Sequence, residues 1–157
     1  MNEYAFRTIN DLMLRSNEAC SINLELTCVL NNQEATSFRN IDQFPRSRGV
    51  YLLYLGDGQN SKPIYIGCAK DNDRTIQIRC KQYLMSGNGG DSFRGKIEAF
   101  LNVNSESTIS YIKENVSAKF VIMDDTDSDE ILWRESLYIW SYNSILNTII
   151  KPNTLIV

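Results

Sequence analysis

Glu135 is the residue whose surroundings most need an explanation. It stands in the run Ile131-Leu132-Trp133-Arg134-Glu135-Ser136-Leu137-Tyr138-Ile139-Trp140. At helical spacing its neighbours are Ile131, Leu132, Tyr138 and Ile139. A carboxylate on such a stripe loses water on folding, a penalty that a metal ion, an arginine or a hydrogen-bond network can offset. A salt bridge to Arg134, or plain exposure, answers the same need. Arg79 and Tyr83 lie four apart on an earlier helical stretch and face the same way. A guanidinium there can grip a phosphate through two parallel hydrogen bonds, although an arginine whose stem simply covers the core is the commoner case. Tyr51 and Tyr65 fall on two successive β-like runs, where packing alone accounts for tyrosine. Metal and phosphate binding are the chemistries these types allow, and no one of the residues is specific alone.

Composition removes other chemistries. The chain has no histidine among its 157 residues, so a Ser-His-Asp triad, a Cys-His pair and a histidine zinc site are excluded. Any general base must be a carboxylate, a tyrosine, a lysine or metal-bound water. Cys20, Cys28, Cys68 and Cys80 show no CxxC pairing and no zinc rhythm, and read as buried free thiols of a reducing compartment. Cys80, beside Arg79, is the one with a route to reactivity. Net charge is −3 and the pI about 5.0, which argues weakly against nucleic acid. The distribution is uneven: residues 62–96 hold seven bases and three acids, net +4, and residues 97–135 hold nine acids and three bases, net −6. One basic segment on an acidic chain suits local contact with a polyanion, and equally a chance fluctuation on a solvated face. No apolar run approaches the roughly 20 residues needed to cross a bilayer, and Asn2, Glu3 and Arg7 do not form a secretion signal. A cytoplasmic location without membrane contact is the expectation.

The elements that must position these residues follow from pattern. Glu3 to Asn17 reads as a helix with Phe6, Ile9, Leu12 and Met13 on one stripe, and Ser21 to Leu30 alternates like a strand. A polar stretch follows, ending in Phe44-Pro45. Gly49 to Leu55 is apolar on both faces, as a buried central strand is. Pro63 to Gly67 is a second strand, and the turn cluster at 56–61 makes the two a long-tipped hairpin. Helices are predicted for Asp73 to Leu84, for Ser92 to Phe100 with Phe93, Ile97 and Phe100 inward, and for Ser105 to Glu114. Ala118 to Met123 is a strand. Asp127 and Glu130 fit a capping box for a helix reaching about Tyr142. The class is α+β: a small, mainly antiparallel sheet of about three strands flanked by helices. Residues 1–48 form an N-terminal helix-strand extension packing on a domain at 49–157.

In combination these landmarks are specific. Gly49-Val50-Tyr51 is followed by Tyr65-Ile66-Gly67, then Ala69-Lys70, an Arg79-x-x-x-Tyr83 helix, Glu135 and Asn147. The order resembles the GIY-YIG nuclease family from Gly49 to about Asn147. Arg79 stands a few residues later than the family arginine usually does, which implies a small insertion around Asp71 to Arg74. Arg74 is the rival candidate but lacks an aromatic residue four positions on. The resemblance implies a metal-dependent endonuclease hydrolysing phosphodiester bonds in DNA. One divalent ion, Mg²⁺ or Mn²⁺, would sit on Glu135. Arg79 would bind the scissile phosphate, and Tyr51 would activate water with a pKa depressed by nearby positive charge, Lys70 contributing. Tyr65 would position that water or the phosphate. Lys70, Tyr83, Arg94 and Asn147 are the candidate substrate contacts. A homodimer or a partner protein could supply targeting. An inactive nucleic-acid-binding or interaction module on the same scaffold, and an RNase of toxin type, are the competing expectations.

Overall fold

A computed structural model describes residues 29–59, 62–85 and 92–148. The chain divides into two compact units, Met1–Gln33 and Glu34–Val157. The expected helix at Glu3 to Asn17 lies outside the described residues. So does most of the Ser21 to Leu30 run, whose last two residues open a helical turn at 29–31.

The second unit is α+β. Its four-stranded antiparallel sheet has the order β1-β4-β2-β3, with β1 at Thr36–Ser37, β2 at Gly49–Leu55, β3 at Tyr65–Ala69 and β4 at Val116–Ile122. A 3-10 helix, Phe38–Gln43, follows β1. The α-helices are α1 (Ile76–Gln82), α2 (Phe93–Leu101), α3 (Ser105–Asn115), α4 (Ser128–Tyr142) and α5 (Ile145–Thr148). The sheet has one strand more than expected. β1 is two polar residues long, too short to show alternation, and becomes a strand only by pairing with Ala118 and Ser117.

Strand β2 is central and buried along six of its seven residues, which is why its sequence does not alternate. Its side chains divide between two layers. Tyr51 and Leu53 face a large core with Phe38, Phe44, Ile76, Phe93, Ile112 and Phe120. The other face is covered by α4, which packs on β3 and β2 through buried residues that include Ile131 and Tyr138. The Asp127 carboxylate accepts the Glu130 N–H at 2.8 Å, the cap expected from sequence and worth about 1 kcal/mol.

One inward assignment is corrected. Phe93 and Ile97 are buried, but Phe100 is 72% exposed. The stripe continues at i+4, so Leu101 packs on the core in its place. Among the described residues no helix is long and apolar enough to cross a membrane.

Candidate active site

The two motif glycines explain why a tyrosine hairpin forms here. Gly49 has φ of +148°, and a Cβ on it would overlap the Val121 carbonyl oxygen of β4. Only glycine lets β2 start this close to its neighbour. Gly67 pairs with Tyr51 across the hairpin, and a Cβ there would overlap the Tyr51 ring and hydroxyl. The missing side chain is thus the space in which the Tyr51 phenol lies.

Tyr51 is 1% exposed, and its hydroxyl is 2.6 Å from that of Tyr83, which ends α1. The Tyr65 ring lies edge-on to Tyr83 at 6.4 Å and tilted over Phe93 at 5.3 Å. Lys96 Nζ sits 5.5 Å above that ring while donating to the Leu146 carbonyl at 2.6 Å. Burial pushes the pKa of Tyr51 and of Tyr83 well above 10 and raises that of Tyr65. The expected depression of Tyr51 is therefore reversed. Low dielectric disfavours the phenolate more than Arg79 favours it, and Lys70 is not among the groups acting on Tyr51.

Arg79 comes from α1 and is half-buried. Burial alone would lower its pKa, but Tyr51, Tyr83, Cys68 and Tyr65 together raise it, so its positive charge is secure. Glu135 comes from α4 on the other side of the sheet. Its carboxyl pKa is raised by burial, against a hydrogen bond with Cys68 and the charges of Arg79 and Lys70. Glu135 also acts on Tyr65. Arg79 and Lys70 are thus close enough for their charges to act on Glu135, and Cys68 and Tyr65 of β3 feel both Arg79 and Glu135. Arg134 does not neutralise Glu135. It pairs with Glu130 at 3.3 Å and reaches the Tyr138 hydroxyl at 3.5 Å. Arg74 is exposed and outside this cluster.

Two expected substrate contacts are placed differently. Arg94 is 1% exposed; its Nη1 donates to the Met85 carbonyl, and among the described residues its buried Nε has no partner. It is packed into the protein where a phosphate cannot reach it, because α2 turns its first-turn face to the core. Asn147 is a structural clip. Its Oδ1 accepts the Ile66 N–H at 2.7 Å and the Ser144 hydroxyl at 2.6 Å, and its Nδ2 donates to the Ile66 carbonyl at 2.8 Å. With the Leu146 N–H on the Ile64 carbonyl at 2.9 Å, it closes the edge of β3.

Cys68 and Arg48 enter without a sequence signal of their own. Cys68 and Cys80 are free and buried. Burial pushes the Cys68 thiol up to about 12 and holds that of Cys80 higher still, which removes the route to a reactive Cys80. Cys20 and Cys28 lie outside the described residues. Arg48, just before the motif, binds the Lys70 carbonyl.

Among the described residues no three His, Cys, Asp or Glu side chains converge. Glu135 by itself does not make a closed site. A single half-buried carboxylate is one oxygen donor of the kind a largely hydrated Mg²⁺ or Mn²⁺ takes. No family model matches the chain, and no curated protein does.

Proposed function

We propose that the chain is a metal-dependent endonuclease of the GIY-YIG type that hydrolyses phosphodiester bonds in DNA. The observation that supports this is a half-buried carboxylate, Glu135 on α4, within electrostatic reach of Arg79 on α1, of Lys70 and of Tyr65 of the hairpin. Burial raises the Glu135 pKa in spite of these cations, and perturbed ionisable groups of this kind concentrate at functional sites.

The residues divide the work as follows. Arg79 holds a non-bridging oxygen of the scissile phosphate and gains strength as charge develops there. Lys70, on the same rim, adds positive charge for the incoming strand. A divalent ion on Glu135 would supply Lewis acidity at the phosphate. Tyr65 is the least buried of the three tyrosines, so its hydroxyl, rather than that of Tyr51, orients the attacking water. Tyr51 and Tyr83 fix its surroundings. The water oxygen forms the new P–O bond, the bridging P–O bond breaks, and the leaving oxygen takes up a proton. With the tyrosines neutral, solvent base removes the water proton and the rate climbs toward alkaline pH.

The test is incubation of the purified protein with Mg²⁺ or Mn²⁺ and labelled duplex DNA, single-stranded DNA and RNA. Duplex cleavage that disappears in Glu135→Ala and Arg79→Ala is the expected result. Cutting confined to RNA would move the assignment to a ribonuclease. Equal cutting by wild type and Glu135→Ala would remove it.

A further inference from the structure

Arg48 takes no part in the chemistry assigned above, yet its guanidinium is fully committed. Nε and Nη2 donate to the Lys70 carbonyl at 2.9 and 2.6 Å. Nη1 donates to the Thr126 carbonyl at 2.9 Å and, more weakly, to that of Asp124 at 3.4 Å. Nη2 also reaches Ser128 Oγ at 3.2 Å, and that hydroxyl donates in turn to the Lys70 carbonyl at 2.9 Å. The main chain adds two bonds. The Arg48 N–H donates to Asp124 Oδ1 at 2.7 Å, and its carbonyl accepts the Met123 N–H at 2.9 Å. The oxygens gripped by the side chain are carbonyls and a hydroxyl, so geometry and not charge neutralisation organises the contact.

Those oxygens belong to the exit of β3, the turn after β4 and the first residue of α4. β3 carries Tyr65, Gly67 and Cys68 up to Lys70. α4 carries Glu135 two turns beyond Ser128, about 10 Å along the axis at 1.5 Å per residue. A planar fork with five fixed donors can hold three chain segments at once, and a lysine ammonium cannot.

We propose that Arg48 is a positioning residue: it locks the Lys70 end of β3 to the start of α4, and so sets the separation at which Glu135, Lys70 and Arg79 meet a phosphate. This rests on the nuclease assignment for its effect on cleavage, but the lock itself can be read without cleavage. Cys68 lies on β3 against Glu135 and is 9% exposed, so its rate of reaction with a small disulfide reports opening of the β3–α4 seam.

The experiment uses the full chain with Cys20 and Cys28 replaced by serine and follows the Cys68 peptide by mass spectrometry, separately from Cys80, comparing Arg48, Arg48→Lys and Ser128→Ala. For Arg48→Lys we expect Cys68 to react about tenfold faster, as the loss of charge-assisted bonds implies. We expect kcat on duplex DNA to fall about 100-fold with KM nearly unchanged, the scale of a 1 Å misplacement. Ser128→Ala, which removes one donor from the same carbonyl, should move both readouts the same way by less, and it decides the matter if Arg48→Lys does not fold. Wild-type Cys68 reactivity and kcat in the folded variants would overturn the proposal. So would a loss of kcat that vanishes on cooling in step with a lowered Tm. If the parent protein cuts nothing, the nuclease assignment falls, and Cys68 reactivity alone decides the lock.

Discussion

The two halves of the candidate site are built by opposite means. Tyr51, Gly67, Tyr83 and Phe93 form a piece of core. Their positions are set by steric fit, their rings are buried, and the hydroxyls of Tyr51 and Tyr83 satisfy one another. Arg79, Glu135 and Lys70 form a half-buried polar rim beside the buried Cys68, where burial works against charge. The shaped half stabilises the protein. The charged half costs stability, because burial disfavours the ionised Glu135 carboxylate.

The contrast can be broken first at Glu135. Glu135→Gln should lower cleavage by about 10³-fold or more and yet raise Tm by about 2–5 °C at pH 7. The folded-state pKa of Glu135 lies above the ordinary 4.5, so ionising it costs folding free energy once the pH exceeds that range. Below about 4.5 the carboxyl is protonated, folded or unfolded, and the cost is gone. The Tm gain should therefore shrink to nothing as the pH falls through 4.5. A gain independent of pH would show that burial of the charge is not its source.

The shaped half should answer in the reverse sense. Gly67→Ala must displace the Tyr51 phenol from the core, and we expect a loss of about 3 kcal/mol in urea unfolding. Gly49→Ala, which drives a methyl into backbone, should cost as much or more. A loss under about 0.5 kcal/mol for both would mean that the hairpin has room to adjust.

A smaller effect sharpens the comparison. Tyr51→Phe removes one partner of a buried hydroxyl pair and should cost about 1–2 kcal/mol. The pKa values of Tyr51 and Tyr83 are raised above 10. The unfolded chain therefore releases these protons near pH 10 while the folded chain keeps them, and stability falls as the pH rises past 10. That alkaline loss should be weaker in Tyr51→Phe. An identical pH dependence in the two proteins would assign it to other groups.

Much of the scaffold could be read from residue order, because its signals are local. A seven-residue apolar run marks β2, the Asp127–Glu130 capping pair marks the start of α4, and helical spacing puts Glu135 where burial matters. Arg79, Glu135, Tyr51 and Tyr65 stand out as candidates only in combination, through their order along the chain. The expectations that failed each depended on what lies across space. β1 exists only as a partner of β4. Phe100 yields its inward place to Leu101, and Arg94 is buried although its sequence resembles a surface basic segment. Arg48 has no local signature, since its partners lie from Lys70 to Ser128.

Chemical type and spacing along one element are thus properties of the chain, and they fixed which groups are available. Protonation and reach belong to the folded state. Whether Tyr51 is lowered by a cation or raised by burial, and whether Asn147 meets substrate or the Ile66 backbone, turns on the dielectric and the neighbours that packing creates. Those neighbours come from distant parts of the sequence, and only the tertiary structure brings them together.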